Sequence, residues 1–194
     1  MIFCIKLTTL IITMRKKGKI IPLCILGFIS SSALSNEAKY ENYVSVGLAQ
    51  MKADQELANT TIEGVGLAYT LFTKDSEWGA TGYFEYAASN DNVNSLSIDE
   101  SMWNLMLGVT YRPADIQWFR FSPMLGIANY NLELDSPNGK NKDSEYGVSF
   151  GLDVQVDIPK TSYYVESNYK VIDINGEYSH VDISTLYLGV GYKF

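Results

Sequence analysis

Ionisable side chains recur within otherwise apolar segments of the sequence, where a buried charge would need a partner. Four of them are acidic and four are basic: Glu85, Glu145, Asp153 and Glu166, and Arg112, Arg120, Lys170 and Lys193. Paired carboxylates could exchange protons with a substrate, whereas opposite charges could neutralise one another. Because an unpaired buried charge is costly, we expect the two sets to pair as a charge network with a structural role.

Side chains for nucleophilic hydrolysis or metal binding are sparse. The single histidine, His180, directly follows Ser179, and neighbours on an extended chain point to opposite sides, which disfavours a catalytic dyad. The sequence has no phosphate-binding glycine loop, no metal-spaced Cys and His and no EF-type loop. We therefore predict a protein that is not an enzyme and uses no cofactor or metal. An aspartyl mechanism with paired carboxylates stays open.

The charged residues lie on segments that alternate with period two. The last segment, "LYLGVGYKF" (186–194), places leucine, valine and aromatic side chains on one side and glycines and Lys193 on the other. This alternation is typical of a β-strand. It predicts eight strands, at about 42–52, 62–72, 78–88, 102–112, 118–134, 145–157, 163–172 and 183–194.

One face of each predicted strand is apolar without interruption, and the opposite face holds small and ionisable residues. A soluble β-sandwich would bury the apolar faces, whereas a membrane barrel would turn them to lipid and enclose a polar lumen. Most of the predicted strands are near the ~9 to 11 residues that a tilted strand needs to cross a membrane.

The start of the chain favours the membrane barrel. A basic stretch, "MRKKGK" (14–19), precedes a short apolar run (20–29) and the small-residue exit "SSALSN". This order is typical of a secretory signal peptide, and the apolar runs are shorter than the ~20 residues of a transmembrane helix. We predict a signal peptide over 1–35, with Met14 as the true start, and an outer-membrane barrel domain over 36–194.

The mature part of the chain is strongly acidic and has no cysteine. Cys4 and Cys24 precede residue 36, as do five of the fifteen Lys and Arg and none of the twenty-two Asp and Glu, which leaves a net charge of −12. Such a charge argues against a nucleic-acid partner, whose phosphates need clustered Lys and Arg.

The connections alternate in length along the chain. Short ones, such as "PADIQ" (113–117), alternate with longer ones, such as the second long loop, "SNDNVNSLSIDE" (89–100), and the third, "DSPNGKNKD" (135–143). Outer-membrane barrels have short periplasmic turns and longer outer loops, and Tyr69, Tyr111 and Tyr192 fit an aromatic girdle at one interface. We therefore predict an all-β, eight-stranded antiparallel up-and-down transmembrane barrel with extracellular loops. Its interior is too narrow for a diffusion pore.

Three stretches resemble the Ail/OmpX/Lom family of small eight-stranded outer-membrane proteins. They are "GVTYRPADIQWFRFSPMLGIANY" (108–130), "EYGVSFGLDVQVD" (145–157) and "LGVGYKF" (188–194), and the resemblance extends over essentially all of the mature chain. It implies adhesion, invasion or complement resistance through surface loops, although some members have no clear task. As in outer-membrane barrels generally, Tyr192 and the terminal Phe194 resemble the signal read by the barrel-assembly machinery.

The predicted loops are more acidic than those of adhesive family members. Candidate partner-binding residues are Asp91, Asp99, Glu100, Lys140 and Lys142. Acidic loops are repelled by lipopolysaccharide phosphates unless divalent cations bridge them, and they do not attract sulfated glycans. Host matrix or serum proteins are the partners that we expect, beside outer-membrane lipid and lipopolysaccharide.

Three functions remain open for this monomeric barrel of a Gram-negative bacterium. The first is surface adhesion, invasion or complement resistance through the extracellular loops. The second is a structural or envelope-stress barrel without a dedicated ligand, and the third is a membrane-embedded barrel enzyme.

Overall fold

The computed structural model describes residues 40–54, 59–93, 96–137, 139–175 and 180–194. Contacts divide the chain into two units, Met1–Ala38 and Lys39–Phe194, and all of the described residues belong to the second. The predicted signal peptide and its start at Met14 lie outside the described residues. Within the described ranges, no helix has the length and apolar character needed to cross a membrane.

Eight strands form one closed sheet. They are β1 (Tyr40–Asp54), β2 (Asn59–Thr73), β3 (Trp78–Val93), β4 (Leu96–Tyr111), β5 (Phe119–Ser136), β6 (Gly139–Asp157), β7 (Tyr163–Asn175) and β8 (His180–Lys193). Each strand pairs antiparallel with its neighbours in the sequence, and β8 closes onto β1. The predicted eight-stranded up-and-down barrel is confirmed.

The chain ends at the seam where the barrel closes. The backbone N–H of Phe194 donates to the Asn42 carbonyl at 3.0 Å, and the Asn42 N–H donates to the Phe194 carbonyl at 3.1 Å. The β1–β8 register then runs from Tyr43↔Lys193 to Asp54↔Asp182. The terminal phenylalanine therefore extends the β1–β8 ladder by one rung beyond Tyr43↔Lys193.

The two ends of the barrel differ. At the end that carries the termini, which we call the terminal end, three turns connect the strands over residues 74–77, 112–118 and 158–162. Asp75 and Lys160 adopt positive φ in two of these turns. At the opposite end, the hairpin end, β3 and β4 remain paired as far as Val93↔Leu96, and β5 and β6 as far as Ser136↔Gly139.

Much of the long loops predicted at the hairpin end is therefore strand. β5 has 18 residues and β6 has 19, well beyond the ~9 to 11 that a tilted strand needs to cross a membrane. The prediction of loops over 89–100 and 135–143 was wrong for most of these residues. Their polar side chains hid the continuation of the strands, because period two was sought in apolar residues.

The outer surface of the barrel is apolar. Its exposed side chains include Val46, Leu48, Leu107, Val109, Leu125, Phe150, Val165, Leu188 and Val190. A girdle of aromatic residues surrounds the terminal end, where ring centroids lie 4.7 Å apart for Trp78 and Tyr111 and 5.3 Å apart for Tyr163 and Tyr192. This surface matches the lipid contact zone of an outer-membrane barrel.

Side chains fill the interior of the barrel. The inward tyrosines Tyr43, Tyr83, Tyr164 and Tyr187 are at most 1% exposed. The Tyr83 hydroxyl lies 2.6 Å from the place where a Cβ on Gly66 would be, so glycine is needed there for the ring to lie against the neighbouring strand β2. Large inward side chains therefore pack against glycines on the inner wall.

Candidate functional site

A buried ion pair crosses the lumen between two strands that are not neighbours. The Lys170 ammonium donates to Glu85 Oε2 at 2.7 Å, and both side chains are fully buried. The Tyr83 hydroxyl also donates to Glu85 Oε2, at 2.8 Å, and Asn104 Nδ2 donates to Oε1 at 3.2 Å. Both carboxylate oxygens are thus hydrogen-bonded, as a stable buried ion pair requires.

A second group of charges lies at the terminal end of the lumen. Arg112 Nη1 lies 2.6 Å from Glu41 Oε2, and Lys193 Nζ lies 3.2 Å from the same oxygen. Arg112 also donates to the Ser76 carbonyl at 3.0 Å and stacks over the Phe72 ring at 4.6 Å. The partner of both cations is Glu41, which the sequence-based prediction did not include because it precedes the predicted start of β1.

Arg120 has a separate set of partners. Its Nη2 lies 2.5 Å from Asp157 Oδ1, and its Nε donates to Gln155 Oε1 at 3.0 Å. The guanidinium lies 4.1 Å from the Tyr43 ring centroid and 5.3 Å from that of Tyr164. Asp157, the last residue of β6, was also missing from the predicted set of lumen charges.

The remaining predicted carboxylates are not in ion pairs. Among the described residues, Asp153, Glu166 and Glu145 contact no Lys or Arg within ion-pair distance. Asp153 Oδ2 accepts a hydrogen bond from Gln155 Nε2 at 3.0 Å, and Glu145 is half-buried near the hairpin end. Of the eight predicted lumen charges, only Glu85 and Lys170 form an opposite-charge pair with each other, so the predicted pairing was wrong for the others.

A row of hydrogen-bonded hydroxyl groups runs along the inner wall from β2 to β5, and it was not foreseen from the sequence. Thr81 is hydrogen-bonded to Thr70 at 2.7 Å and to Thr110 at 2.5 Å, and Thr110 to Ser122 at 2.8 Å. Gln155 Nε2 donates to Thr70 at 3.0 Å. Their inward parity was available from the sequence, but the contacts across the lumen depend on barrel geometry.

At the hairpin end, Glu100 is not the exposed loop residue that we predicted. It lies within β4, is 4% exposed, and accepts a hydrogen bond from the Tyr130 hydroxyl at 2.5 Å. Asp91, by contrast, is exposed.

The other candidate partner-binding residues contact one another. Asn90 Nδ2 donates to Asp99 Oδ1. Lys142 lies 2.6 Å from Glu133 Oε2, and Lys140 contacts Oε1 of the same carboxylate. Because one acidic residue holds both lysines, the positive charge predicted for the third loop is partly neutralised.

The paired segments 88–93, 96–101, 131–136 and 139–147 extend the barrel at the hairpin end, and we call them the hairpin wall. The β2–β3 ladder stops at Gly64↔Ala87, and the β6–β7 ladder stops at Val148↔Asp173. Among the described residues, segment 88–93 therefore pairs only with β4, and segment 139–147 pairs only with β5. Within the described ranges, the wall therefore has two strand edges that are paired on one side only.

The described residues contain no metal centre built from three or more His, Cys, Asp or Glu side chains. No three His, Cys, Asp or Glu side chains of the described chain are arranged to hold a metal ion together. Ser179 lies outside the described residues, as does the side chain of His180, so the geometry of that pair is not described.

The closed barrel, its apolar exterior and its charged lumen define an integral outer-membrane protein. Residues 21–194 match the family model for the outer membrane protein beta-barrel domain, and the chain belongs to that family. No curated relative matches the sequence.

Solved structures with the same fold include two bacterial proteins, Ail and Neisserial surface protein A. Ail, the attachment invasion locus protein of Yersinia pestis, superposes with a TM-score of 0.70 at 19% identity, over 80% of this chain and 99% of Ail. A second Ail structure, in complex with the heparin analogue sucrose octasulfate, gives a TM-score of 0.69 at the same identity and coverage. Neisserial surface protein A gives 0.58 at 12% identity, over 79% of this chain and 97% of that protein. The Ail/OmpX type of barrel that the sequence resembles is thus confirmed as a fold.

Proposed function

We propose that the protein is a non-enzymatic surface protein of the outer membrane that binds a protein partner through its hairpin wall, in adhesion, invasion or complement resistance. The observation that carries the proposal is the pair of one-sided strand edges in the wall. In the orientation that we propose, the short turns of the terminal end face the periplasm and the longer hairpins face the outside of the cell, as in other outer-membrane barrels.

A one-sided strand edge recognises an extended peptide through its backbone. A partner strand can add to such an edge, which supplies main-chain hydrogen bonds while pockets for alternate side chains give specificity. Charged side chains, lysine above all, block this pairing. The edge of β6 carries Lys140 and Lys142, whereas Asp91 is the one charged residue in segment 88–93 of β3. The β3 edge is therefore the better docking edge.

The charge of the wall favours a protein partner over a sulfated glycan. Lys140 and Lys142 both contact Glu133, so their charge is partly neutralised, and Asp91 lies on the opposite edge. The heparin analogue bound by Ail carries many negative charges. A matrix or serum protein with a neutral or basic extended segment fits the β3 edge better.

Other partners follow from the membrane setting. Tyr192 and Phe194 stack at 6.4 Å beside the closing seam, and we propose that the barrel-assembly machinery reads these two residues. The apolar surface contacts outer-membrane lipid, and the hairpin end contacts lipopolysaccharide. The barrel closes without a second copy of the chain, which supports a monomer.

A structural barrel without a dedicated ligand is the second candidate. It is favoured by the contacts within the wall, where Asn90 binds Asp99 and Glu133 binds both lysines. Side chains that satisfy one another need no partner.

Two shortened hairpins distinguish these functions. Ser89 and Glu100 are directly paired, so an Asn-Gly turn can replace residues 90–99 while the strands stay in register. In the matched control, Asn-Gly replaces residues 134–141 between the paired residues Glu133 and Lys142. We expect cells that display the first variant to lose binding to matrix or serum proteins and cells that display the control to retain it. If the unaltered protein binds none of these proteins, the structural barrel is favoured.

A further inference from the structure

Two carboxylates and an amide meet on the inner wall of β6 and β7 without a cationic partner. Asp153 lies directly opposite Asn168, and Glu166 lies two residues before Asn168 on the same inward face. The three side chains are 0%, 0% and 2% exposed for Asp153, Asn168 and Glu166, respectively. Asp153 Oδ1, both carboxylate oxygens of Glu166 and Asn168 Oδ1 have no hydrogen-bond partner among the described residues.

The charges around this cluster do not balance. The nearest lumen cations, Lys170 and Arg120, are held by Glu85 and Asp157, respectively. Two neighbouring buried carboxyl groups therefore have no cation of their own among the described residues. Each is stable there only if it takes up a proton or if a bound cation neutralises it.

We propose that Asp153, Glu166 and Asn168 bind a divalent, oxygen-preferring cation inside the barrel, and that calcium fits this donor set. Carboxylate and amide oxygens are ligands of hard cations, and the absence of Cys and His from the set disfavours zinc and copper. A divalent ion matches the two uncompensated charges. Calcium accepts six to eight oxygens in flexible geometry, whereas magnesium keeps several waters and needs a nearly ideal octahedron.

Two further buried oxygens lie at neighbouring inward positions of β7 and β8. Thr185 Oγ1 and the Tyr164 hydroxyl are buried and have no hydrogen-bond partner among the described residues. Tyr164 precedes Glu166 by two residues on the same face of β7, and Thr185 lies on β8 opposite Lys170. The bound ion would connect β6 to β7 on the terminal-end side of the pair Val148↔Asp173, beyond which the two strands separate at the hairpin end.

The first test is calcium binding by the mature barrel. The protein is refolded in zwitterionic micelles without lipopolysaccharide, freed of metal with a chelator, and dialysed against radioactive calcium at pH 8. We expect one calcium ion per barrel and at least tenfold weaker binding by Asp153→Asn and by Glu166→Gln. The control Asp91→Asn, which removes an exposed carboxylate from the hairpin wall, should leave the binding unchanged.

Two results would overturn the proposal: no saturable binding, or equal binding by the unaltered protein and both lumen variants. Protons or buried waters would then satisfy the orphan oxygens, and Arg120 Nη1, which also has no partner among the described residues, would share those waters.

A second readout needs no variant, in case the lumen variants do not fold. Terbium(III) substitutes for calcium and luminesces when an excited tyrosine lies nearby. Tyr187 lies directly opposite Asn168 in the register. We expect terbium emission from the unaltered barrel, and calcium in large excess over terbium should suppress it. Absence of emission, or emission that calcium does not suppress, contradicts a lumen calcium site.

Discussion

Lys170 and Glu85 form an ion pair of 2.7 Å between β7 and β3, on opposite sides of the lumen, with both side chains fully buried. The register does not bring these strands together, because each pairs only with its neighbours. The pair therefore braces the barrel across its interior.

Removing one member of this pair should destabilise the barrel strongly. Lys170→Met leaves Glu85 buried without a counter-charge, which costs about 3 to 5 kcal/mol. Urea unfolding in lipid vesicles measures this loss. The double variant Glu85→Gln with Lys170→Met removes both charges and should recover most of it, whereas additive losses would show that the pair is not coupled.

Period-two alternation predicted all eight strands because every strand separates an apolar outer face from a polar inner face. The outer ends of β3 to β6 were missed because residues such as Asn90 and Asp99 pair in register without that apolar signal. The inward direction of Glu85 and Lys170 was also predictable. The ion-pair partners of most lumen charges could not be predicted from the sequence, because contacts across the lumen depend on how the barrel closes and on the stagger of its strands.

The glycines that face the inward tyrosines should not accept a methyl group. A Cβ on Gly191 would overlap the Tyr164 ring, so Gly191→Ala should cost about 1 to 3 kcal/mol by overpacking. Gly82 is the matched control, since it faces outward and its Cβ would lie 3.7 Å from the nearest side-chain atom, on Leu107. Equal unfolding free energies for Gly191→Ala and Gly82→Ala would contradict the packing described for the lumen.

The buried hydrogen bond between Tyr130 and Glu100 should contribute more to the stability of the barrel than an exposed tyrosine hydroxyl does. Tyr130→Phe removes the donor to the Glu100 carboxylate, and we expect a loss of about 1.5 to 3 kcal/mol because the acceptor is charged. Tyr146→Phe, on the exposed outer face, should change stability by less than about 0.5 kcal/mol. Both values come from the same urea titrations, and a loss at Tyr146 as large as that at Tyr130 would argue against the buried position of Glu100.

The outer face should reject charge at mid-barrel. Leu107 is 70% exposed on this face, and Leu107→Arg should destabilise the protein in lipid vesicles by about 2 to 4 kcal/mol if it lies near the bilayer centre. Gln50→Arg is the control, because Gln50 is exposed on β1 toward the hairpin end, nearer the interface. Equal stability of the two variants would mean that Leu107 does not contact the hydrocarbon.

The proposed display of the hairpin wall outside the cell is tested most directly by single-cysteine labelling. The chain after residue 36 has no cysteine, so Asp91→Cys and Lys160→Cys each introduce one thiol, in the wall and in a turn of the terminal end. On intact cells, a membrane-impermeant maleimide should label Asp91→Cys, whereas Lys160→Cys should react only after the outer membrane is permeabilised. Labelling in the reverse pattern, or of both variants on intact cells, would contradict this account.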